Sequence, residues 1–312
     1  MSERRIGNYC LPPGIEIFER GWLSANNIFL FCEDDVSLVD SGYCTHQQMT
    51  VDLVSYALKQ HNLSSLNKLV NTHLHSDHCG GNAALSQEFD CEIWIPEAEA
   101  IAVQDWDENL LSFQQLGQEC PQFTHHDLLV PGKEINLGPY RWQILAAPGH
   151  DNHSVMLYQA QHQILISADA LWEEGFGVIF PELWGEGGFE GVVQTLELIE
   201  ELPVALVIPG HGKPFTDVKK SIDTAKSRLD YLSGDAERNA RHGAKVLLKY
   251  KLLEWRSKEM SVVKSWIAGT PALESIRKQM NLCSEDFEDW LIQALVKSKA
   301  AAIESDRLMN LD

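Results

Sequence analysis

The stretch Thr72-His73-Leu74-His75-Ser76-Asp77-His78-Cys79-Gly80-Gly81 places four metal-capable side chains within six residues, spaced H-x-H-x-D-H. Before it, Lys68-Leu69-Val70-Asn71 reads as a short apolar strand; after it, two glycines open Asn82-Ala83-Ala84-Leu85, which reads as the start of a helix. The motif therefore sits on a strand-to-helix turn. Alternation along its extended part sends His73 and His75 to one side, while Asp77 and His78 lie beyond the bend and face a second point nearby. Three imidazoles and a carboxylate packed this closely repel one another when protonated. They also lose solvation unless a cation takes up their lone pairs. One histidine in such a turn would read as an ordinary polar residue; the constellation reads as a metal site.

Upstream, Ile15–Phe18, Asn27–Phe31 and Val36–Asp40 read as strands, the last two joined at the turn formers Glu33-Asp34-Asp35. Asp40 ends the third run, as a turn aspartate or as an acceptor for a ligand imidazole. Helical periodicity from Thr45 to His61 puts Met49, Leu53, Val54, Ala57 and Leu58 on one face. A strand at Glu92–Ile95 and a helical stretch over Glu97–Gln118 close the first half. The second half restarts with strands at 134–137, 140–146, 154–158, 163–167 and 204–208, and a helix over 189–202. His150, Asp169 and His211 each follow the C-terminal end of one of these strands, in Pro148-Gly149-His150, Ser167-Ala168-Asp169 and Pro209-Gly210-His211-Gly212. Separate strand ends delivering side chains to one rim is how mixed α/β folds build sites. Each residue alone has an ordinary reading, as turn, cap or loop; with the motif they complete two coordination shells.

From Asp217 onward the pattern is helical: Lys219–Leu253, Ser257–Ala268, Ala272–Gln279 and Ser284–Lys299, the last opened by a Ser-Glu-Asp-Phe capping signal. The chain thus divides into residues 1–218, carrying the site, and an α-helical unit at 219–312. Its 312 residues suit that size, and 44% hydrophobic with 22% charged content is ordinary globular composition. No apolar run approaches a membrane span, and Met1-Ser2-Glu3-Arg4-Arg5-Ile6 lacks a signal-peptide core, so a cytoplasmic protein is expected. Seven scattered cysteines without a C-x-x-C pair are expected as thiols, with Cys79 a small buried filler beside the glycines. The net charge of −20 is uneven. Residues 226–312 carry 15 Lys and Arg against 13 Asp and Glu, leaving 10 basic and 32 acidic residues in the first 225. Such a field repels phosphate backbones and argues against general nucleic-acid binding by the larger unit.

H-x-H-x-D-H at 73–78, then P-G-H, S-A-D and P-G-H-G in order, resembles the metallo-β-lactamase-fold hydrolases over about residues 14–216, nearest to the dinuclear branch that includes glyoxalase II. The resemblance implies an α+β fold: a four-layer αββα sandwich, here followed by an all-α C-terminal appendage. It implies one metal on His73, His75 and His150, a second on Asp77, His78 and His211, and Asp169 bridging them. Two Zn²⁺ are expected, although Fe or Mn suit similar nitrogen and oxygen shells. The implied reaction is hydrolysis of a small-molecule ester, thioester or lactone by a metal-bridging hydroxide, with Asp77 as the catalytic proton carrier. Alternatives within the fold are a phosphodiesterase or ribonuclease and a mononuclear iron persulfide dioxygenase, which would need only His73, His75, His150 and Asp169. The usual G-H-[ST]-x-G is replaced by Gly149-His150-Asp151-Asn152-His153-Ser154, and His153 is expected to hydrogen-bond a loop, the alternative being contact with substrate or a metal-bound water.

Leu171–Phe189, rich in aromatics (Trp172, Phe176, Phe180, Trp184), directly follows Asp169 and should overhang the metals. It lines a pocket there or packs on a second subunit, as in a homodimer. The basic residues Arg238, Arg241, Lys245, Lys249 and Lys251 read as a solvated helix face.

Overall fold

The computed structural model describes residues 4–311. Two sheets stack face to face. The first has six strands in the order Ile15–Phe18, Asn27–Phe31, Val36–Val39, Lys68–Val70, Glu92–Pro96 and Asp127–Leu129; its first three are antiparallel and the rest join in parallel. The second has five, in the order Leu206–Pro209, Ile164–Ala168, Val155–Gln159, Tyr140–Ala146 and Glu134–Leu137.

Strands that are apolar at all but one position, Asn27–Phe31, Val155–Gln159 and Ile164–Ala168, are buried on both faces. Ile28 and Leu30 point into the space between the sheets, against Trp142, Leu157 and Ile166. Phe29 points the other way, into a cluster with Val54, Ala57 and Leu58 of the helix Gln47–Gln60. On the far side, Met156, Leu165 and Val207 pack beneath the helices Phe189–Glu201 and Val218–Ser233. The layers are helix, sheet, sheet, helix, the expected αββα sandwich. By packing, Val218–Ser233 belongs to its outer layer.

Beyond it lie the helices Ala236–Trp255, Met260–Gly269, Pro271–Gln279 and Ser284–Lys297. The appendage is mainly helical, but the expectation that it is all-α is corrected. Ser257–Glu259, Arg307–Asn310 and Ala301–Glu304 form a three-stranded antiparallel sheet, the middle strand pairing with both neighbours. Its core, including Leu248, Val263, Ile276 and Leu291, is continuous with Val178, Phe180 and Leu183 of the aromatic loop. Tyr43 Oη donates to Glu254 at 2.9 Å and Tyr250 Oη to the Leu23 carbonyl at 3.3 Å, which fastens Ala236–Trp255 to the sandwich.

Three local readings change. Glu97–Gln118 is not one helix: the Asp107 carboxylate accepts from the backbone of Asn109 and Leu110, and the chain bends between Ala100–Asp105 and Phe113–Leu116. Met49 is 57% exposed, because the buried face of its helix runs through Thr50, Val51 and Val54. Cys283, not Ser284, caps the last long helix, its sulfur accepting from the Asp286 amide at 3.4 Å.

Leu157 is fully buried between the sheets. Leu157→Ala is expected to lower the unfolding free energy by about 2–5 kcal/mol, seen as an earlier urea midpoint at unchanged slope.

Candidate metal centre

The rim where strands of both sheets end carries the site. Lys68–Val70 runs out into Asn71 and Thr72, His73 to His75 follow, and His75 precedes the single helical turn Ser76–Cys79. Glycine is required next. A β-carbon on Gly80 would stand 2.5 Å from the Cys44 amide nitrogen, and one on Gly81 2.5 Å from the Ser41 carbonyl. The turn thus closes against Ser41–Cys44. Asn71 and Asn82 tie it down, Asn82 donating to Asn71 at 2.6 Å and Asn71 to the His78 carbonyl at 3.0 Å.

The ligating atoms of His73, His75 and His150 lie within 4.8 Å of one another, as do those of Asp77, His78 and His211. Asp169 stands between the two groups, its oxygens 3.4 Å from His78 Nε2, 3.5 Å from His150 Nε2 and 3.8 Å from His211 Nε2. A register shift at the end of Ile164–Ala168, with Ala168 at φ 47°, turns Asp169 out of the strand ladder toward this rim. All seven sequence-chosen residues converge.

The other ring nitrogens are spoken for. His78 Nδ1 donates to Asp40 at 2.8 Å, His150 Nδ1 to the Val178 carbonyl at 2.6 Å, and His211 Nδ1 to the Gly21 carbonyl at 3.1 Å. Each bond makes Nδ1 the donor and turns Nε2 toward the centre. Asp40, at φ 59°, also accepts from the Thr72 amide and hydroxyl, both at 2.9 Å. It is the supporting acceptor, not a turn residue alone.

Burial, and then the neighbouring His78, His75 and His150, hold His73 well below the ordinary histidine range; burial pushes His150 down to about 4. Burial works against an ionised Asp169, yet His211 and His78 outweigh it and keep the carboxyl well below the usual range. Burial opposes charge on His78 and His211 too, yet Asp40 and Asp169 raise the first and Asp169 and Asp77 the second, so a cation would meet neutral His73 and His150 and displace protons from His78 and His211. The fit has a second sign: His73 Nε2 and His78 Nε2 are buried with no hydrogen-bond partner. An orphaned buried polar atom costs about 1–3 kcal/mol, which a cation at that point removes.

Two neighbours stay outside. His153 turns away, its Nδ1 2.7 Å from buried Glu99 in the turn Glu97–Glu99 of the first half of the chain. Cys79 is buried, donating to the Leu74 carbonyl at 3.4 Å.

The aromatic loop does overhang the centre. Phe180 presents an edge to His75 at 5.1 Å, and Trp172 Nε1 donates to Asp169 at 3.3 Å. Phe176 packs into the core instead. Trp22, absent from the sequence reading, stacks on His211 at 5.6 Å while 56% exposed. Asn239 donates to the Ile179 carbonyl, and Ser275 and Gln279 to that of Leu183, so the appendage holds the loop down. Between them opens a cavity of about 760 Å³ reaching His75, Asp77, His150, Asp169 and His211. Lys245, Val246, Lys249, Tyr250 and Leu253 line it from one helix face. Here the expectation of a solvated basic face is corrected: Lys245 and Lys249 face the cavity, and Lys251 is buried on Glu254 at 2.8 Å, whereas Arg241 pairs outside with Glu237.

The family model of the metallo-beta-lactamase superfamily matches residues 20–211. The chain is 30% identical over 200 residues to the probable metallo-hydrolase YqgX of Bacillus subtilis (strain 168), covering 64% of this chain and 89% of that protein. It is 28% identical over 150 residues to a hydroxyacylglutathione hydrolase of Bdellovibrio bacteriovorus, covering 47% of this chain and 49% of the relative; it thus spans about half of that protein's length. The solved structure of a metallo-beta-lactamase family protein from Thermus thermophilus superposes with a TM-score of 0.57 at 17% identity, over 96% of this chain and 99% of that one. This likeness of fold extends through the appendage.

Asp40→Ala strands the His78 Nδ1–H and both Thr72 donors in a buried site. Metal affinity, measured by competition with a chromogenic chelator, should fall about 10–100-fold. A second expectation concerns His153, which the Glu99 hydrogen bond pushes up to about 9. Its contribution to stability is complete below the unfolded histidine value and lost as pH rises through about 9. Half-exposed, the pair is screened and contributes little energy. The His153 ring resonances should titrate near 9, and Glu99→Gln should return them toward the ordinary range.

Proposed function

The chain belongs to the metallo-beta-lactamase superfamily of metal-dependent hydrolases, and we propose that within it the protein is a two-metal hydrolase of a small-molecule thioester, ester or lactone. His73, His75 and His150 would hold one cation, Asp77, His78 and His211 the other, and Asp169 both. The observation that carries this reading is the meeting of seven ligating side chains from separate strand ends, two of them with orphaned buried nitrogens. Zn²⁺ suits the nitrogen and oxygen donors, as do Fe and Mn.

When bound, two such cations supply a Lewis acid for the scissile carbonyl and bring the pKa of water toward neutrality. The remaining work falls to this chain's own groups. Asp77, partly exposed on the cavity wall with one oxygen 3.1 Å from His211 Nε2, carries the proton from the attacking water to the leaving group. Phe180 and Trp172 close over the ligands and keep bulk water from the reacting carbonyl. A mainly apolar wall formed by Val178, Phe180, Val246 and Leu253 accepts an acyl group. The thioester class is favoured by the Bdellovibrio relative, which is named for hydrolysis of an acylglutathione. The second ligand group favours two metals over the one iron of a dioxygenase. The acidic main unit disfavours RNA, and a cytoplasmic location suits such a substrate.

Metal analysis of the purified protein, with turnover of chromogenic thioesters, esters, lactones and bis-phosphodiesters, tests this reading. Two metals per chain and acyl hydrolysis are expected; one iron, or phosphodiester turnover alone, would refute it. His75→Ala and Asp169→Ala should each cut kcat/KM more than about a hundredfold and lower metal content, exceeding the loss typical of outer-shell partners.

A further inference from the structure

Arg228 is a half-buried cation that the described residues leave without a counter-charge. It rises from the outer-layer helix Val218–Ser233 into the wall of the metal cavity. Its guanidinium lies against Gly175, where a β-carbon would stand 2.7 Å from Nη1, and over the Phe176 ring at 5.2 Å. Among the described residues its one hydrogen bond goes to a neutral acceptor, His242 Nε2, at 2.7 Å. No carboxylate among them pairs with it. Glu173 and Glu174 share the rim but are exposed, and Glu174 lies 4.0 Å from Lys220 instead. Burial depresses the guanidinium, and no acidic neighbour offsets this. Burial, Arg228 and Lys245 together push His242 down to about 4, so it accepts from Arg228 and adds no charge.

Lys245 stands one turn along the next helix from His242, on the same cavity wall, with neither an ion pair nor a hydrogen bond among the described residues. Two half-buried cations side by side cost desolvation and mutual repulsion, and removing solvent from an unpaired charge is expensive. Arginine offers a planar fork of donors that matches the two oxygens of a carboxylate or phosphate. The surroundings make the patch more telling. In a chain of net charge −20, anions are repelled at long range, so capture of one needs a local cationic wall.

We propose that Arg228, oriented by His242 and joined by Lys245, is a subsite for a carboxylate or phosphate group of the substrate. The inference rests on reading the cavity as the substrate site of the hydrolase. It deepens that reading by naming the substrate class: an acyl compound with an apolar arm and an anionic end. The apolar arm lies along Val246, Leu247, Leu253 and Leu295. From His242 to Leu253 the lining helix runs ~16 Å, long enough to separate the anionic end from an apolar one.

The test uses the metal-loaded protein in three forms: wild type, Arg228→Gln and Lys245→Gln. Calorimetric titration with glutarate and with inorganic phosphate reads the subsite without turnover, and their relative affinities tell carboxylate from phosphate. Loss of a charge-assisted fork should weaken the preferred anion ~tenfold or more in Arg228→Gln and less in Lys245→Gln. An anion held by the metals alone would bind all three proteins equally, and equal binding, or none, overturns the proposal. Lys245 has no partner among the described residues whose loss could unfold the chain, so its variant stays informative if Arg228→Gln is unstable. Turnover of an acyl thioester ending in a carboxylate is then compared with that of its methyl-ended counterpart. The kcat/KM ratio should favour the carboxylate in the wild type and fall toward one in both variants; a ratio near one throughout overturns the subsite. Anion binding lost in the variants, with no thioester cleaved by any form, would remove the hydrolase reading and leave the subsite standing.

Discussion

Seven metal-capable side chains, six of them buried, crowd the rim where strands of both sheets end, their donor atoms within 4.8 Å of one another in each group. That concentration of buried lone pairs is the constraint to which the rest of the molecule answers. Left alone, neutral imidazoles would turn their nitrogens toward each other, as His75 Nδ1 and His150 Nε2 do at 2.8 Å. The fold aims three of the rings at the centre by holding their outward nitrogens in fixed bonds to Asp40, the Val178 carbonyl and the Gly21 carbonyl. Each comes from a different part of the chain, so the site is braced by the sandwich as a whole. Two more glycines serve the same end: a side chain at Gly210 would meet Asp169 at 2.3 Å, and one at Gly177 would meet His150 Nδ1 at 2.3 Å.

The same rim explains how the cavity is enclosed. Strand ends expose backbone and cannot cover a site by themselves, so the segment after Asp169 folds over it. That loop would be mobile were its carbonyls at Ile179 and Leu183 not bound by Asn239, Ser275 and Gln279. The appendage therefore acts on the site through the loop, and its long helix supplies the opposite wall. One wall holds the clustered histidines and carboxylates with aromatic edges; the other carries apolar side chains with cations among them. An amphipathic acyl compound matches that pairing.

Much of the fold was legible residue by residue. Continuous apolar runs such as Asn27–Phe31 and Ile164–Ala168 mark strands covered on both faces, and turn formers mark their ends. The candidate metal-binding residues were legible for a local reason: the histidine motif is contiguous, and the remaining three each sit beside a strand end. Illegible segments share a cause as well. Ala301–Glu304 and Arg307–Asn310 are short, and the sheet they form exists because Ser257–Glu259, far earlier in the chain, pairs with it. Glu97–Gln118 has helical composition, but the Asp107 side chain takes backbone donors a continuing helix would need.

By itself the sequence determined which atoms could hold cations, where strands stop, and that the larger unit is strongly acidic, because these follow from residue type, period and net charge. Tertiary structure alone decided which way each basic residue faces. Helical spacing assigns Arg228, Arg238, Arg241 and Lys245 to faces of two helices but says nothing of what those faces meet. Packing sends Arg241 outward to Glu237 and turns Arg228 and Lys245 inward to the cavity. It likewise laid Trp22 on His211, 189 positions away, a contact that no local pattern encodes.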